Sequence, residues 1–190
     1  MIIGITGKKF AGKDVVADYL IRQHGFVKYK FASPIKNFVA DTFLMSDSQI
    51  NGDQKEVVDE RWGMSGREIQ QVFGTETMRE FFPTLNKTFN EIIGNNLWCK
   101  RFQYWYESLP KGADVVISDV RFLNEFKILK EMGGHILKIK REGLVSTDQH
   151  SSEQEMDQII PDYTLHNDSG IEGLEAKIAM VYPQIYYKDV

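Results

Sequence analysis

Eight residues near the start of the chain, Gly7-Lys8-Lys9-Phe10-Ala11-Gly12-Lys13-Asp14, could bind phosphate. Glycines at 7 and 12 permit a tight backbone path whose N–H groups surround an anion, and Lys13 extends toward the β and γ phosphates of a nucleotide. The last position departs from the pattern G-x-x-x-x-G-K-[ST], because an aspartate stands where a hydroxyl would meet Mg²⁺. Asp14 can offer a carboxylate oxygen to that cation or to its bound water. The other reading is a favourable negative charge at a helix start. A second acidic candidate closes the run Val115-Val116-Ile117-Ser118-Asp119, where a strand ending in a carboxylate could hold metal-bound water. Arg121 can reach the same rim and grip phosphate, or make an ordinary ion pair. Arg67 and Arg79 could close over an acceptor phosphate while Gln70 or Gln71 reads a sugar or base; solvated helix faces are the alternative.

These groups need a frame. Residues 2 to 6 read as a β-strand, and Asp14 to Ile21 as a helix that stops near His24-Gly25. Phe26 to Phe31 is a second extended run, ending before Ser33-Pro34, an N-cap followed by proline at the first helical position. Ile35, Phe38, Val39 and Phe43 then share one helix face. The segment from about 46 to 64 is polar and broken by Gly52 and Gly63, so it is expected to be a loop or mobile insertion. Ser65 and Glu68 form a capping box for a helix carrying Ile69, Val72 and Phe73, with Arg79 just beyond its end. Trp98, Phe102, Trp105 and Leu109 make an aromatic stripe expected in the core. Strands at 115–117, 136–139 and 163–165 alternate with helices at 124–132 and 170–181, the last opened by Ser169 and Glu172 as a capping box. That rhythm predicts an α/β fold, a doubly wound and mainly parallel sheet covered on both sides. Residues 141 to 161 are expected to be a loop or lid.

Bulk properties exclude several classes. The chain has 190 residues, 42% of them hydrophobic, a net charge of -4 and a pI near 5.6, which suits one domain and argues against a nucleic-acid polymer or an anionic membrane as partner. No apolar stretch approaches the roughly 20 residues that cross a bilayer, and no signal peptide opens the chain, so a soluble cytoplasmic protein is expected. The single cysteine, Cys99, excludes an internal disulfide and reads as a buried helix residue.

Beyond the opening loop, further motifs follow in order: FASPIK at 31–36, SGREIQQVFGTETMRE at 65–80, NNLW at 95–98, SDVRFLNE at 118–125, Gly133-Gly134 before HILKIKR, HSSE at 150–153 and HND at 166–168. Together they resemble the bacteriophage deoxynucleoside monophosphate kinases, within the wider P-loop nucleoside monophosphate kinase family. The resemblance covers almost the whole chain, and the GKD form of the loop suits this group.

The resemblance implies a P-loop three-layer sandwich with a five-stranded parallel sheet, a helical acceptor-binding region at about 34–96 and a lid at about 141–161. It implies ATP and Mg²⁺ as cofactors, a deoxynucleoside monophosphate as acceptor, a homodimer as one allowed assembly, and the cytoplasm of an infected host as location. Gly7, Lys8, Lys9, Phe10, Ala11, Gly12, Lys13 and Asp14 then look like the donor-phosphate loop. Asp119 and Arg121 look like the metal and phosphate edge, and Ser33, Arg67, Gln70, Gln71 and Arg79 like acceptor-site residues. Arg141 resembles the start of a lid arm that meets ATP, Asn167 a donor-base or ribose contact, and His150 a substrate contact in the lid. Two other readings stay open: a nucleotide-dependent regulatory module, and a small-metabolite kinase resembling dephospho-coenzyme A kinase.

Overall fold

The computed structural model describes residues 1–144 and 150–189. In chain order the elements are β1 (Ile2–Thr6), α1 (Lys13–His24), β2 (Val27–Tyr29), α2 (Ser33–Thr42), α3 (Asp47–Ile50), β3 (Val58–Asp59), β4 (Met64–Ser65) and α4 (Gly66–Gln71). A π-helix (Val72–Phe81) and a 3₁₀ turn (Phe82–Leu85) lead to α5 (Lys87–Ile92) and α6 (Leu97–Glu107). The remainder is β5 (Val115–Ile117), α7 (Leu123–Glu131), β6 (His135–Lys140), α8 (Ser151–Gln158), β7 (Tyr163–His166) and α9 (Gly170–Asp189). Residues 1–30 with 105–190 form one compact unit, and 31–104 form another.

The first unit holds a parallel sheet in the order β2-β5-β1-β6-β7. Its strands are short apolar runs because both faces are covered. Ile3 and Ile5 of β1 are fully buried against Val16, Ala17 and Leu20 of α1 and Leu174 and Ile178 of α9. Gly4 between them faces the other way, where an added Cβ would lie 2.8 Å from Leu129 of α7 and 2.9 Å from Ile136. Alternation along one strand therefore feeds two helical layers, which makes the three-layer sandwich. Each such buried aliphatic side chain contributes roughly 1.5–3 kcal/mol of transfer free energy. Parallel pairing, with Gly4 opposite Ile117 and Thr6 opposite Lys138, brings the C-terminal strand ends to one edge. Among the described residues no helix is long and apolar enough to cross a membrane.

The second unit corrects three expectations. Residues 46–64 are built rather than loose. Ser46 and Gln49 form a capping box that starts α3, Ile50 enters a core with Val39, Met45 and Ile69, and β3 pairs antiparallel with β4. Asp59 ties this segment together, accepting from Gln49 Nε2 at 2.8 Å and from the Arg61 guanidinium at 2.6 and 2.9 Å. The polar residues that suggested a loop are partners of one another. Next, Ser65 and Glu68 do cap α4, but the helix continues with wider turns through 81, so Arg79 lies inside it and is 6% exposed. Gly74 in that stretch accepts the Trp98 indole N–H at 2.9 Å and lets Ile35 approach. Third, α2 begins at Ser33 itself, with Ala32 as cap and proline in the first turn. The expected stripe holds for Trp98 and Phe102, which are buried along with Cys99.

In the last third, the stretch expected as a loop or lid contains α8, and residues 145–149 of it lie outside the described residues. The hydroxyl of Ser169, ahead of α9, donates a hydrogen bond to the Asp168 carboxylate.

Candidate active site

Every strand of the parallel sheet delivers something to its C-terminal edge, the edge where open α/β sheets bind ligands. β1 runs into the Gly7–Gly12 turn. Here glycine is required twice: Gly7 has φ 140° and an added Cβ would lie 2.4 Å from the Ile139 carbonyl, while Gly12 has φ 109° and would meet Leu174 and Asn167 at 2.7 and 2.8 Å. Phe10 at the tip also takes a positive φ, 66°, and is 71% exposed. Ala11 is buried, and its N–H closes the turn on the Lys8 carbonyl at 3.1 Å. Lys9 lies 5.1 Å from the centre of the Phe10 ring. Gly12 then opens α1, so the loop backbone and a helix N-terminus belong to one turn.

Lys13 folds back over that turn, with Nζ 2.5 Å from the Gly7 carbonyl and 2.7 Å from that of Lys8. The ammonium is thereby held at the cradle it would serve. Neighbouring strand ends brace the same loop. Asn167, just beyond β7, donates its side-chain amide to the Ala11 carbonyl at 2.9 Å, and Arg141, just beyond β6, reaches the Phe10 carbonyl at 3.4 Å. Lys8 Nζ lies 3.4 Å from the Leu144 carbonyl. Phe10, Lys13, Asp14, Arg141, Asn167 and Ile171 line a cavity of about 540 Å³ beside the loop. Its size and mixed lining suit a nucleoside.

Asp14 is held from the other side of the sheet edge. Its Oδ1 takes Lys30 Nζ at 2.8 Å, Lys28 Nζ at 3.1 Å and the Ser118 hydroxyl at 3.2 Å. Partial burial works against the charge, but the Lys30 and Lys28 ammonium groups outweigh it and hold the carboxyl down at about 2. Ser118, 2% exposed at the end of β5, returns a hydroxyl beside the position where the loop lacks one. Asp119 follows it, half-buried. Asp14, Ser118 and Asp119 are hard oxygen donors that fit Mg²⁺, which keeps much of its water and relies on substrate phosphates. Among the described residues no group of three or more His, Cys, Asp or Glu side chains could form a cage for a metal.

The turn after β5 is fixed by acidic side chains. Glu125, 2% exposed, accepts the backbone N–H of Arg121 at 2.9 Å and of Phe122 at 3.1 Å, and Glu155 of α8 accepts that of Leu123 at 2.8 Å. Arg121 is therefore carried on a hydrogen-bonded turn. His150, ahead of α8, meets the Phe122 ring edge-on at 6.5 Å.

The remaining sequence-predicted residues belong to the second unit. Ser33 is exposed at the start of α2. Arg67 Nε lies 3.7 Å from Glu56, Gln70 donates to the Ile50 carbonyl at 3.3 Å, Gln71 is half-buried, and Arg79 is buried. Sequence reasoning missed Lys28, Lys30 and Ser118. The alternation Lys28-Tyr29-Lys30 on a strand leading to the ligand edge was the available signal, since residues two apart share a face.

The sequence matches the family described as deoxynucleotide monophosphate kinase over residues 1–62 and 44–178. The chain belongs to that family. A protein of Acanthamoeba polyphaga mimivirus, provisionally described as a deoxynucleotide monophosphate kinase, is 39% identical over 185 residues, covering 94% of each chain. The deoxynucleotide monophosphate kinase of Escherichia phage RB69 is 22% identical over 240 residues, covering 95% of this chain and 98% of the relative. Among solved structures, a dephospho-CoA kinase from Campylobacter jejuni aligns over 97% of this chain and 96% of its own with a TM-score of 0.47 and 13% identity. The chain is thus a P-loop kinase of the nucleoside monophosphate kinase superfamily.

Proposed function

We propose that the protein transfers the γ-phosphoryl group of ATP to a deoxynucleoside monophosphate, giving ADP and a deoxynucleoside diphosphate. The observation that supports this reading is the braced loop at the sheet edge, with Lys13 folded over its carbonyls, in a chain of this family. Residues 7–14 bind the donor phosphates through backbone N–H groups and Lys13. Arg141 and Asn167 bound the cavity that takes the donor nucleoside. Asp14, Ser118 and Asp119 would hold Mg²⁺, which when bound neutralises phosphate charge. Arg121 contributes a guanidinium to the transferring group, and Arg67 and Arg79 to the acceptor phosphate, within an acceptor region of about 34–96. Ser33, Gln70 and Gln71 contact the acceptor, and His150 belongs to a lid of about 141–161.

The acceptor oxygen is already anionic near neutral pH, so in-line attack needs no general base. Catalysis is then positioning and charge neutralisation, and exclusion of water keeps futile hydrolysis slow. The test is incubation with ATP, Mg²⁺ and a panel of dAMP, dGMP, dCMP, dTMP, their ribonucleotides and dephospho-coenzyme A, measuring both products. Stoichiometric ADP and diphosphate from a deoxy acceptor is the expected result. Product from dephospho-coenzyme A alone, or ATP binding without transfer to any acceptor, overturns the reading.

A further inference from the structure

The aspartate in the phosphate loop needs an explanation that metal binding alone does not supply. A carboxylate beside a phosphate cradle repels its ligand, and here two lysines meet its Oδ1. They are not equivalent. Lys28 is shared between two carboxylates, Asp18 at 2.7 Å and Asp14 at 3.1 Å. Among the described residues Lys30 has one partner, Asp14 Oδ1 at 2.8 Å. An ammonium has three donors, so this contact leaves Lys30 with two. Its side chain is 33% exposed, enough for a ligand to reach it.

Position decides what those donors meet. Lys30 immediately follows β2, so it sits at the ligand edge. The donor-nucleoside cavity is lined by residues beyond β6 and β7, on one side of β1, whereas β2 lies on the other side beyond β5. A nucleotide with its base in that cavity and its phosphates on the loop directs its terminal phosphoryl group toward the β5–β2 side. On the kinase reading, the group that must face it there is the incoming phosphomonoester.

We propose that Lys30 contacts the phosphate of the acceptor monophosphate, and that Asp14 is the positioning carboxylate that aims it. This rests on the kinase reading above. Asp14 cancels part of the charge of Lys30 in the empty site and fixes its direction, so the ammonium is pre-organised for a dianion. Lys28, held by two carboxylates, keeps the charge balance around Asp14.

The test uses the full chain with the deoxynucleoside monophosphate that gives the highest turnover in the panel, and AMP-PNP as a donor probe. Lys30→Met should raise the acceptor KM about 10- to 100-fold, the range for losing a charge-assisted contact, while AMP-PNP binding changes little. Lys30→Arg should recover most of that loss. Lys28→Met should raise the acceptor KM by no more than about fivefold, as expected for a partly exposed ion pair. Asp14→Asn should raise acceptor KM even at saturating Mg²⁺, which a purely metal-holding role does not predict. Should Lys30→Met lose its fold by circular dichroism, Lys30→Gln carries the same comparison. An unchanged acceptor KM in folded Lys30 variants, an equal effect of Lys28→Met, or a loss confined to AMP-PNP binding overturns the proposal and leaves the kinase reading standing. Wild-type protein that phosphorylates no deoxynucleotide removes both.

Discussion

The phosphate loop and the 65–80 segment both carry cationic candidates, yet they are organised on different principles. In the loop, the backbone path sets the arrangement: Gly7 and Gly12 take positive φ angles that other side chains rarely adopt, and Arg141 and Asn167, just beyond β6 and β7, brace the carbonyls. In the 65–80 segment, side-chain contacts set the arrangement. Gln70 holds the Ile50 carbonyl, Arg67 faces Glu56, and Arg79 is buried within a π-helical stretch. A backbone-built anion site tolerates varied side chains at its x positions, whereas a site built from long side chains depends on each neighbour that steers them.

The largest expected effect breaks the loop side of this comparison. Lys13→Ala should cut ATP-dependent turnover by at least about 100-fold while the melting temperature stays near wild type, because a charge opposite the transferring group is lost without a core contact. Near-normal turnover in a folded variant would remove Lys13 from the donor site. Gly7→Ala tests the backbone itself. Forced positive φ alone costs about 1–3 kcal/mol, and the new Cβ adds a collision with the Ile139 carbonyl. Calorimetry should show a lower melting temperature together with weakened AMP-PNP binding.

On the other side, Arg67→Ala should raise acceptor KM by about 10-fold or more and leave AMP-PNP affinity unchanged, since a bidentate phosphate contact is charge-assisted. Arg79→Ala should do the same and also lower the melting temperature, because this side chain is buried. Equal weakening of both ligands would place the arginines elsewhere.

The smallest effect concerns acid. Asp14 is held down at about 2 by Lys30 and Lys28 against partial burial, and Asp168 at about 2 by Lys177 and Ser169. Depressed carboxyl groups stabilise the folded state fully above their ordinary value of 3.8 and lose that contribution as pH falls toward about 2. Urea midpoints should therefore be insensitive to these groups near neutrality and fall through that window, with Asp168→Asn flattening part of the decline.

Local signals read well where one short segment contained the whole device. The glycine spacing, the Ser65–Glu68 box and the apolar runs of β1, β5 and β6 each act over a few residues, and each is found in the structure. Signals failed where partners lay apart in the chain. Residues 46–64 look like a loop because Gln49, Asp59 and Arg61 are polar and Gly52 and Gly63 break the pattern. They are ordered by mutual contacts and by the Trp62 indole on the Phe43 carbonyl.

The amino-acid order alone therefore determined the α/β class, the parallel sheet and the tight glycine turn after β1, since those follow from periodicity and from conformations open to glycine. Only the tertiary structure decided what surrounds Asp14. Lys30 and Ser118 are far from it in sequence and reach it because parallel pairing of β2, β5 and β1 brings three strand ends to one edge. No local pattern encodes that meeting; strand order does.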